Sequence, residues 1–489
     1  MAASFTFDNV ERVAQASCDH LKARHPDWAS RPLIVGYDTR FMSERFAAAA
    51  ARVGAANGFR VLFSRVPATT PNLSWLVKQT GASAAFIITA SHNPYEYNGF
   101  KLKADFGGSA PTADTEDVER RLGGSEDVRR EGGRPPERID PRAPYLDQLR
   151  NLVDVDGMRN RLAPRRGVTT GLRWPDLFVA ADAMHGAGAG YLSELFGYAR
   201  PQTDLAPPQF LAEIRTGRDP LFGGTNPEPI SPNLSALVDL VRKEATRYPM
   251  ALGVGFDGDA DRIGAVDGSG LFVNSHQILA LILRHLVETK GWSGGVVKTF
   301  STSRLVEKLA ASYGLPVHEV PIGFKYICDL MLREDILIGG EESGGIGIKN
   351  HIPERDGLLC GLLLMEIALS RGKGLAAQIA DLHETFGPHH YDRVDLTLRD
   401  RAALSELLAS LAKSPPGSVD LLRVTDVQTL DGVKLVFDDG AWLLFRGSGT
   451  EPVLRIYAEA PEPEEVKRLL RYGRELAKDA GQPVGMLGH

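Results

Sequence analysis

Apolar residues in this chain come in two patterns that alternate: short continuous runs, and longer stretches spaced by three and four. Phe5 to Leu21 has the helical spacing, whereas Leu33-Ile34-Val35-Gly36-Tyr37 is a continuous run ending in polar Asp38-Thr39-Arg40, as a buried strand does. An alanine-rich helix is expected from Phe46 to Ala56, a strand at Val61-Leu62-Phe63, a helix from Pro71 to Gln79 opened by its proline, and a strand at Ala85-Phe86-Ile87-Ile88. Strands that alternate with helices pair in parallel, so a mostly parallel sheet is expected.

A polar stretch, Ser109 to Pro144, follows, with an exposed helix predicted over Thr112 to Leu122 and the first domain boundary near residue 165. The same grammar then returns. Strand Leu177 to Ala181 runs into glycine-rich Asp182 to Gly188 and a helix from Tyr191, and the unit closes with Met250 to Asp261 and Gly264-Ala265-Val266. A third unit has a helix from Ser275 to Thr289, strand Val296-Val297, helix Ser303 to Tyr313 and strand Val317 to Val320. Beyond Gly387 the runs shorten, and Leu435-Val436-Phe437 and Ala441 to Phe445 flank Asp438-Asp439-Gly440, a hairpin signature. The expectation is α/β domains at 1–165, 166–270 and 271–386, with mixed, mostly parallel sheets, and an α+β domain at 387–489.

Length and charge narrow the function classes. At 489 residues the chain exceeds one hydrophobic core, and 43% apolar with 24% charged residues is the make-up of a soluble globular protein. A formal charge of −6 gives no general basic footprint for nucleic acid. Cys18, Cys328 and Cys360 lie far apart, with neither a disulfide framework nor a zinc spacing, which fits a reducing cytoplasm. Met1 to Phe7 has no basic leader segment and no apolar run reaches membrane-spanning length, so a cytoplasmic protein without membrane or nucleic-acid partners is expected.

Four loops carry the candidate chemistry. Thr89-Ala90-Ser91-His92-Asn93-Pro94 follows a predicted strand, and Asn98-Gly99 folds the chain back toward Lys101. Ser91 then stands at a strand's C-terminal end, where open α/β sheets place their sites. A serine hydroxyl is a weak nucleophile without positive charge nearby, and Lys101 and His92 are the local candidates. Read alone, the motif favours the plainer role, in which Thr89, Ser91 and Asn93 satisfy loop backbone groups. Asp257-Gly258-Asp259-Ala260-Asp261-Arg262 puts carboxylates at alternate positions, which an extended segment turns to one side. Three like charges there call for a hard cation such as Mg²⁺; a solvated acidic turn is the alternative. An EF-hand is excluded, because Arg262 and Gly268 stand where that loop needs glycine and glutamate.

Gly339-Gly340-Glu341-Glu342-Ser343-Gly344-Gly345 again follows an apolar run, and its Glu and Ser suit hydroxyl groups, although glycine pairs also serve plain turns. Arg446-Gly447-Ser448-Gly449-Thr450-Glu451-Pro452 holds the parts of a phosphate cradle, with Arg455 adding charge; a tight surface turn is the other reading. Two apparent motifs fail. Gly291 to Gly295 fits G-x-S-x-G, but the strand and helix flank it in the wrong order. Gly253 to Gly258 fits a dinucleotide fingerprint but runs into acids that would repel pyrophosphate.

Together, Thr-Ala-Ser-His-Asn-Pro at 89–94, Asp-Gly-Asp-Ala-Asp-Arg at 257–262, Gly-Glu-Glu-Ser-Gly-Gly at 340–345 and Arg-Gly-Ser-Gly-Thr-Glu-Pro at 446–452 resemble the α-D-phosphohexomutase family, in that family's order and over nearly the whole chain. The resemblance implies three similar α/β domains and an α+β domain around a central cleft. It implies that Ser91 carries a phosphoryl group, that Asp257, Asp259 and Asp261 bind Mg²⁺ together with that phosphoserine, that Arg262 lies beside it, and that Lys101 assists proton transfer. Glu341 and Ser343 would hold sugar hydroxyls, Lys298 and Lys325 would line the substrate site, and Arg446, Ser448, Gly449 and Thr450 would grip the phosphate not in transfer. Sugar phosphates are the implied partners, glucose 1,6-bisphosphate the intermediate and activator, and a monomer or homodimer the implied state.

The Gly-Glu-Glu-Ser-Gly-Gly loop is similar to the glucose-selective branch, so phosphoglucomutase is expected first and phosphomannomutase or dual specificity second, ahead of the amino-sugar mutases. A sugar-phosphate-binding relative with impaired catalysis, or a phosphatase, would be a reading of another class. Similar members begin with a strand and a Gly-Thr-Asp-Gly-Trp-Arg-Gly-like loop whose arginine reaches the phosphoserine, and no matching segment precedes Phe5. Weakened activity and a less stable first domain are therefore expected, with Arg40 as a partial substitute.

Overall fold

The computed structural model describes residues 4–123, 127–162, 165–167, 171–173, 175–197, 210–398, 400–448, 453–479 and 485–486. The first sheet runs in the order Phe100–Lys103, Ala84–Ile88, Leu33–Tyr37, Val61–Ser64, Glu137–Ile139. Its three inner strands pair in parallel and are buried at every residue, which is why they read as unbroken apolar runs. The second sheet is ordered Phe272–Val273, Ile263–Asp267, Met250–Phe256, Leu177–Asp182, Leu211–Ile214, and the third Val317–Val320, Gly295–Thr299, Ile336–Gly340, Ile346–Ile348.

The three sheets share one departure from parallel order, and it builds the site. In each, a parallel strand is followed directly by an antiparallel neighbour: Phe100–Lys103 after Ala84–Ile88, Ile263–Asp267 after Met250–Phe256, and Ile346–Ile348 after Ile336–Gly340. Antiparallel neighbours need only a tight connection, whereas parallel ones need a crossover. The three connections contain Ser91, the aspartates and the two glutamates.

Helix ends follow their capping residues. Thr69 accepts from the Asn72 amide to start Thr70–Thr80, with Pro71 in its first turn, and Gly81 at φ 61° ends it. The alanine-rich helix starts at Ser43 rather than Phe46, because the Ser43 hydroxyl is anchored to Asp38 at 2.9 Å. Helix Gly357–Arg371 is apolar on all sides because it lies in one continuous core with strands of the second and third sheets. Its cap, Asp356, is fixed by the Leu359 amide, Tyr145 and His351. Helices Arg142–Leu152 and Val155–Leu162 also bury Tyr145, Leu149 and Leu162 in this core.

The fourth unit is an antiparallel sheet in the order Ser418–Val419, Leu422–Gln428, Val433–Phe437, Trp442–Gly447, Val453–Ala460, His390–Thr397, Gly485–Met486. Helices Arg401–Lys413 and Pro463–Asp479 pack on it through Leu404, Leu407, Val466 and Leu469. The architecture is thus three α/β units and a C-terminal α+β unit, as expected. Among the described residues no helix is long and apolar enough to cross a membrane.

Candidate active site

Ser91 is held in a left-handed conformation, φ 54°, at the end of strand Ala84–Ile88. Its amide donates to Thr89 Oγ1 at 2.9 Å, and its hydroxyl donates to Asp257 Oδ2 at 2.6 Å. Arg40 fixes the loop from below. Its guanidinium donates to Asp38 and to the carbonyls of Ser91, Asn93, Pro94 and Tyr97, and none of it reaches solvent. Every Arg40 N–H is therefore engaged, by Asp38 or by the loop's carbonyls, so Arg40 supports the serine and does not substitute for a phosphate-binding arginine.

The aspartates converge by a turn and not, as the sequence suggested, by extended alternation: Ala260 sits at φ 54° and its amide donates to the Asp257 carbonyl at 3.0 Å. All three carboxylates are fully buried, which excludes a solvated acidic turn. Both flanking units hold this loop by its backbone. Thr70 N donates to the Asp259 carbonyl, Gly357 N to the Ala260 carbonyl, and Ile263 N to the Gly344 carbonyl.

Each aspartate has a different surrounding. Lys101 Nζ lies 2.6 Å from Asp259 Oδ2 and 3.1 Å from Asp261 Oδ2, Thr70 Oγ1 lies 2.5 Å from Asp259 Oδ2, and the Arg262 amide donates to Asp257 Oδ1. Burial and the neighbouring acids push the Asp257 carboxyl well above the usual range. Burial opposes ionisation of Asp261 as well, but Arg355, Lys101 and Arg262 outweigh it and hold that carboxyl low. Lys101 is likewise disfavoured as an ammonium by burial, yet Asp259 and Asp261 raise its pKa above that of an ordinary lysine.

Asp259 Oδ1 and Asp261 Oδ1 are buried without a hydrogen-bond partner, and one oxygen from each of the three aspartates lies within 4.8 Å of the others. Buried, unpartnered carboxylate oxygens converging from an all-oxygen donor set fit a hard divalent cation. His92 also faces the cluster. Its Nδ1 is buried without a partner, and burial together with Arg262 lowers its pKa well below that of an ordinary histidine.

Arg355 is the functional candidate that sequence reasoning missed. Its Nη2 lies 2.6 Å from Asp261 Oδ2, its Nη1 3.4 Å from Glu341 Oε2 and its Nε 3.5 Å from Glu354 Oε1, so one guanidinium ties the aspartate loop to the glutamate loop. Glu354 in turn forms a buried ion pair with Lys103 of the first unit. The one local signal was the charged Glu354-Arg355-Asp356 before an apolar helix, and its partner Asp261 is remote in sequence. Glu341 is 6% exposed and burial raises its pKa against Arg355 and Arg262; Ser343 is half-buried in the same turn.

Other expected residues stand apart from the aspartates. Lys298 is 1% exposed, ion-paired with Glu307 and with Glu319 at 2.8 Å, which leaves it no free face toward a cleft. Lys325 lies over the Tyr326 ring and 3.3 Å from Thr112 Oγ1. Arg446 pairs with Asp431 at 3.0 Å, Arg455 lies 3.3 Å from Asp395, and the Ser448 amide donates to the Val453 carbonyl. Gly449 and Thr450 lie outside the described residues.

The chain matches the family profile described as phosphoglucomutase/phosphomannomutase, alpha/beta/alpha domain I, over residues 1–128, domain II over 143–270, domain III over 274–386 and the C-terminal domain over 397–472. It is 30% identical to a phosphoglucomutase/phosphomannomutase of Thermococcus kodakarensis, over 92% of this chain and 91% of that protein. A probable phosphoglucosamine mutase of Methanothermobacter thermautotrophicus is 29% identical, over 89% of this chain and 87% of that protein. Among solved structures, a putative phosphomannomutase from Thermus thermophilus superposes with a TM-score of 0.81 at 34% identity, covering 98% of this chain and 96% of that one. With all four domains matched in order, the chain belongs to the phosphoglucomutase/phosphomannomutase family of α-D-phosphohexomutases, intramolecular phosphotransferases of the isomerase class.

Proposed function

We propose that this enzyme interconverts glucose 1-phosphate and glucose 6-phosphate, with Ser91 as the phosphoryl carrier. The observation that carries the reading is the Ser91 hydroxyl, turned by its left-handed backbone onto Asp257 at 2.6 Å, beside two buried, unpartnered carboxylate oxygens. In one half of the reaction the phosphoserine O–P bond breaks as a bond forms between phosphorus and the free sugar hydroxyl. The bisphosphate turns around, and its other phosphoryl group returns to Ser91. Asp257, Asp259 and Asp261 would hold Mg²⁺, which when bound neutralises charge on the transferring phosphoryl group.

The chain's own residues supply the rest. Lys101 Nζ, kept protonated by Asp259 and Asp261, would donate a proton to the Ser91 oxygen as its O–P bond breaks, offsetting the proton that the attacking sugar hydroxyl releases. Arg262 stands beside the aspartates, its buried Nε 3.9 Å from Asp261 Oδ1 and without a hydrogen bond, so that N–H would be available to a phosphoryl oxygen. Glu341 and Ser343 would take sugar hydroxyls, and Arg446, Ser448 and Arg455 the phosphate at rest. Both phosphates must in turn fit that one distal cradle, which favours a small, glycine-rich loop. Three buried free thiols suit a reducing cytoplasm.

Phosphomannomutase activity, alone or with the glucose reaction, is the second reading. It is favoured by the names of the Thermococcus and Thermus proteins. The test is turnover of glucose 1-phosphate and of mannose 1-phosphate with Mg²⁺ and a trace of the matching bisphosphate, beside Ser91→Ala. Glucose turnover that vanishes in the variant supports the proposal; turnover of mannose alone selects the second reading. Turnover that survives Ser91→Ala removes the serine from the mechanism.

A further inference from the structure

Glu341 and Glu342 are adjacent but serve different units. Glu341 meets Arg355 beside the aspartates, whereas Glu342 reaches Arg393 of the fourth unit, with Nη1 3.0 Å from Oε1 and 3.4 Å from Oε2. The Glu342 carbonyl is also fixed, accepting from Ser275 Oγ at 2.5 Å. Arg393 Nε lies 3.2 Å from Asp395 Oδ1, and Asp395 Oδ2 lies 3.3 Å from Arg455 Nε. Arg455 stands in register opposite Arg446, the first residue of the phosphate-cradle motif. Asp431 holds Arg446 and also accepts from the Ile322 amide of the third unit at 2.8 Å.

The line Glu342, Arg393, Asp395, Arg455 therefore alternates in sign from the sugar loop to the cradle. The side chains of Glu342, Arg393 and Asp395 are 14%, 18% and 4% exposed, and that of Arg455 is 37% exposed. The line is shielded along its length and opens to solvent at the end where a phosphate would arrive, which extends the alternation by one more charge. Charges in such a partly enclosed chain are screened little, so each holds its neighbour in place.

We propose that Glu342 and Arg393 are positioning residues that fix the cradle arginines of the fourth unit relative to the sugar loop, so that a sugar phosphate spanning both is recognised at one set distance. This rests on the sugar-phosphate reading of the two loops. Glu342 then acts through Arg393 and touches no sugar hydroxyl itself. A ligand that fills only the cradle does not depend on that spacing, whereas a ligand that bridges to the sugar loop does.

The test is titration calorimetry of the full-length enzyme with Mg²⁺, using glucose 1-phosphate and inorganic phosphate, on wild type, Glu342→Gln, Arg393→Gln, Arg393→Lys and the Glu342→Gln/Arg393→Gln double variant. Glucose 1-phosphate is expected to bind about tenfold more weakly in each Gln variant, with no further loss in the double variant, as for two residues acting through one contact. Arg393→Lys should recover part of the loss, and inorganic phosphate should bind within about threefold of wild type throughout. Additive losses in the double variant, or equal losses for both ligands, would overturn the proposal. Turnover on the same samples, with a trace of glucose 1,6-bisphosphate added, separates the two readings: a wild type that binds glucose 1-phosphate without converting it ends the glucose mutase reading and leaves this one standing. A wild type that binds neither ligand ends both.

Discussion

Single side chains in this enzyme are held by more partners than their local sequence suggests, and Arg40 is the clearest case. A buried guanidinium shared between one carboxylate and four carbonyls costs far more to remove than to keep, because the variant leaves buried Asp38 without its cation and the carbonyls unpaired. Arg40→Gln is expected to lower stability by about 3 kcal/mol or more in urea unfolding. Turnover should fall as well at temperatures where the variant is still folded, since the Ser91 carbonyl is among the groups released. Ser91 and the aspartates could be picked out from the sequence because each motif is local. Arg355 could not, because its importance comes from Asp261 and Glu341, which only folding brings to it.

Between elements, backbone contacts decide the geometry. A Cβ on Gly258 would lie 2.5 Å from the Ser91 carbonyl oxygen, so Gly258→Ala has to part the serine loop from the aspartate loop. A displacement of this kind at a reacting group is expected to cost about a hundredfold in turnover, with the thermal midpoint little changed. At the seam of the third and fourth units, Glu459 Oε1 accepts from the Arg304 amide, His389 Nδ1 and Trp442 Nε1. Burial pushes its carboxyl up, but the hydrogen bond from His389 leads the groups that pull it down to about 2. A carboxyl depressed in the folded state contributes stability fully present above its ordinary pKa of about 4.5 and lost as pH falls toward 2. Glu459→Gln should therefore be less stable than wild type at pH 7, by an amount on the order of 3 kcal/mol, and the difference should shrink in unfolding curves taken below pH 4.

For the molecule as a whole, three carboxylates are buried where three units meet, and their mutual repulsion is met only in part by Lys101 and Arg355. A divalent cation that binds the folded site and not the unfolded chain should raise stability by about 2.7 kcal/mol at a concentration of a hundred times its Kd. The expected observation is a higher thermal midpoint with Mg²⁺ that a chelator reverses and Asp259→Asn abolishes; a midpoint unmoved by Mg²⁺, Mn²⁺ or Ca²⁺ would count against a metal site. The sequence alone determined the α/β alternation, the hairpin-rich last unit and the four chemical loops, because apolar periodicity and turn residues act over a few positions and are written locally. Tertiary structure alone decided the rest. It placed the three loops in antiparallel connections, turned the aspartates together at Ala260 where extended spacing was expected, enclosed Lys298 between Glu307 and Glu319, bound Arg40 to the Ser91 loop, and set Arg355 and Arg393 between units. These outcomes depend on charges remote along the chain finding one another in a shared low-dielectric interior, and no stretch of sequence records which partner a buried charge will have.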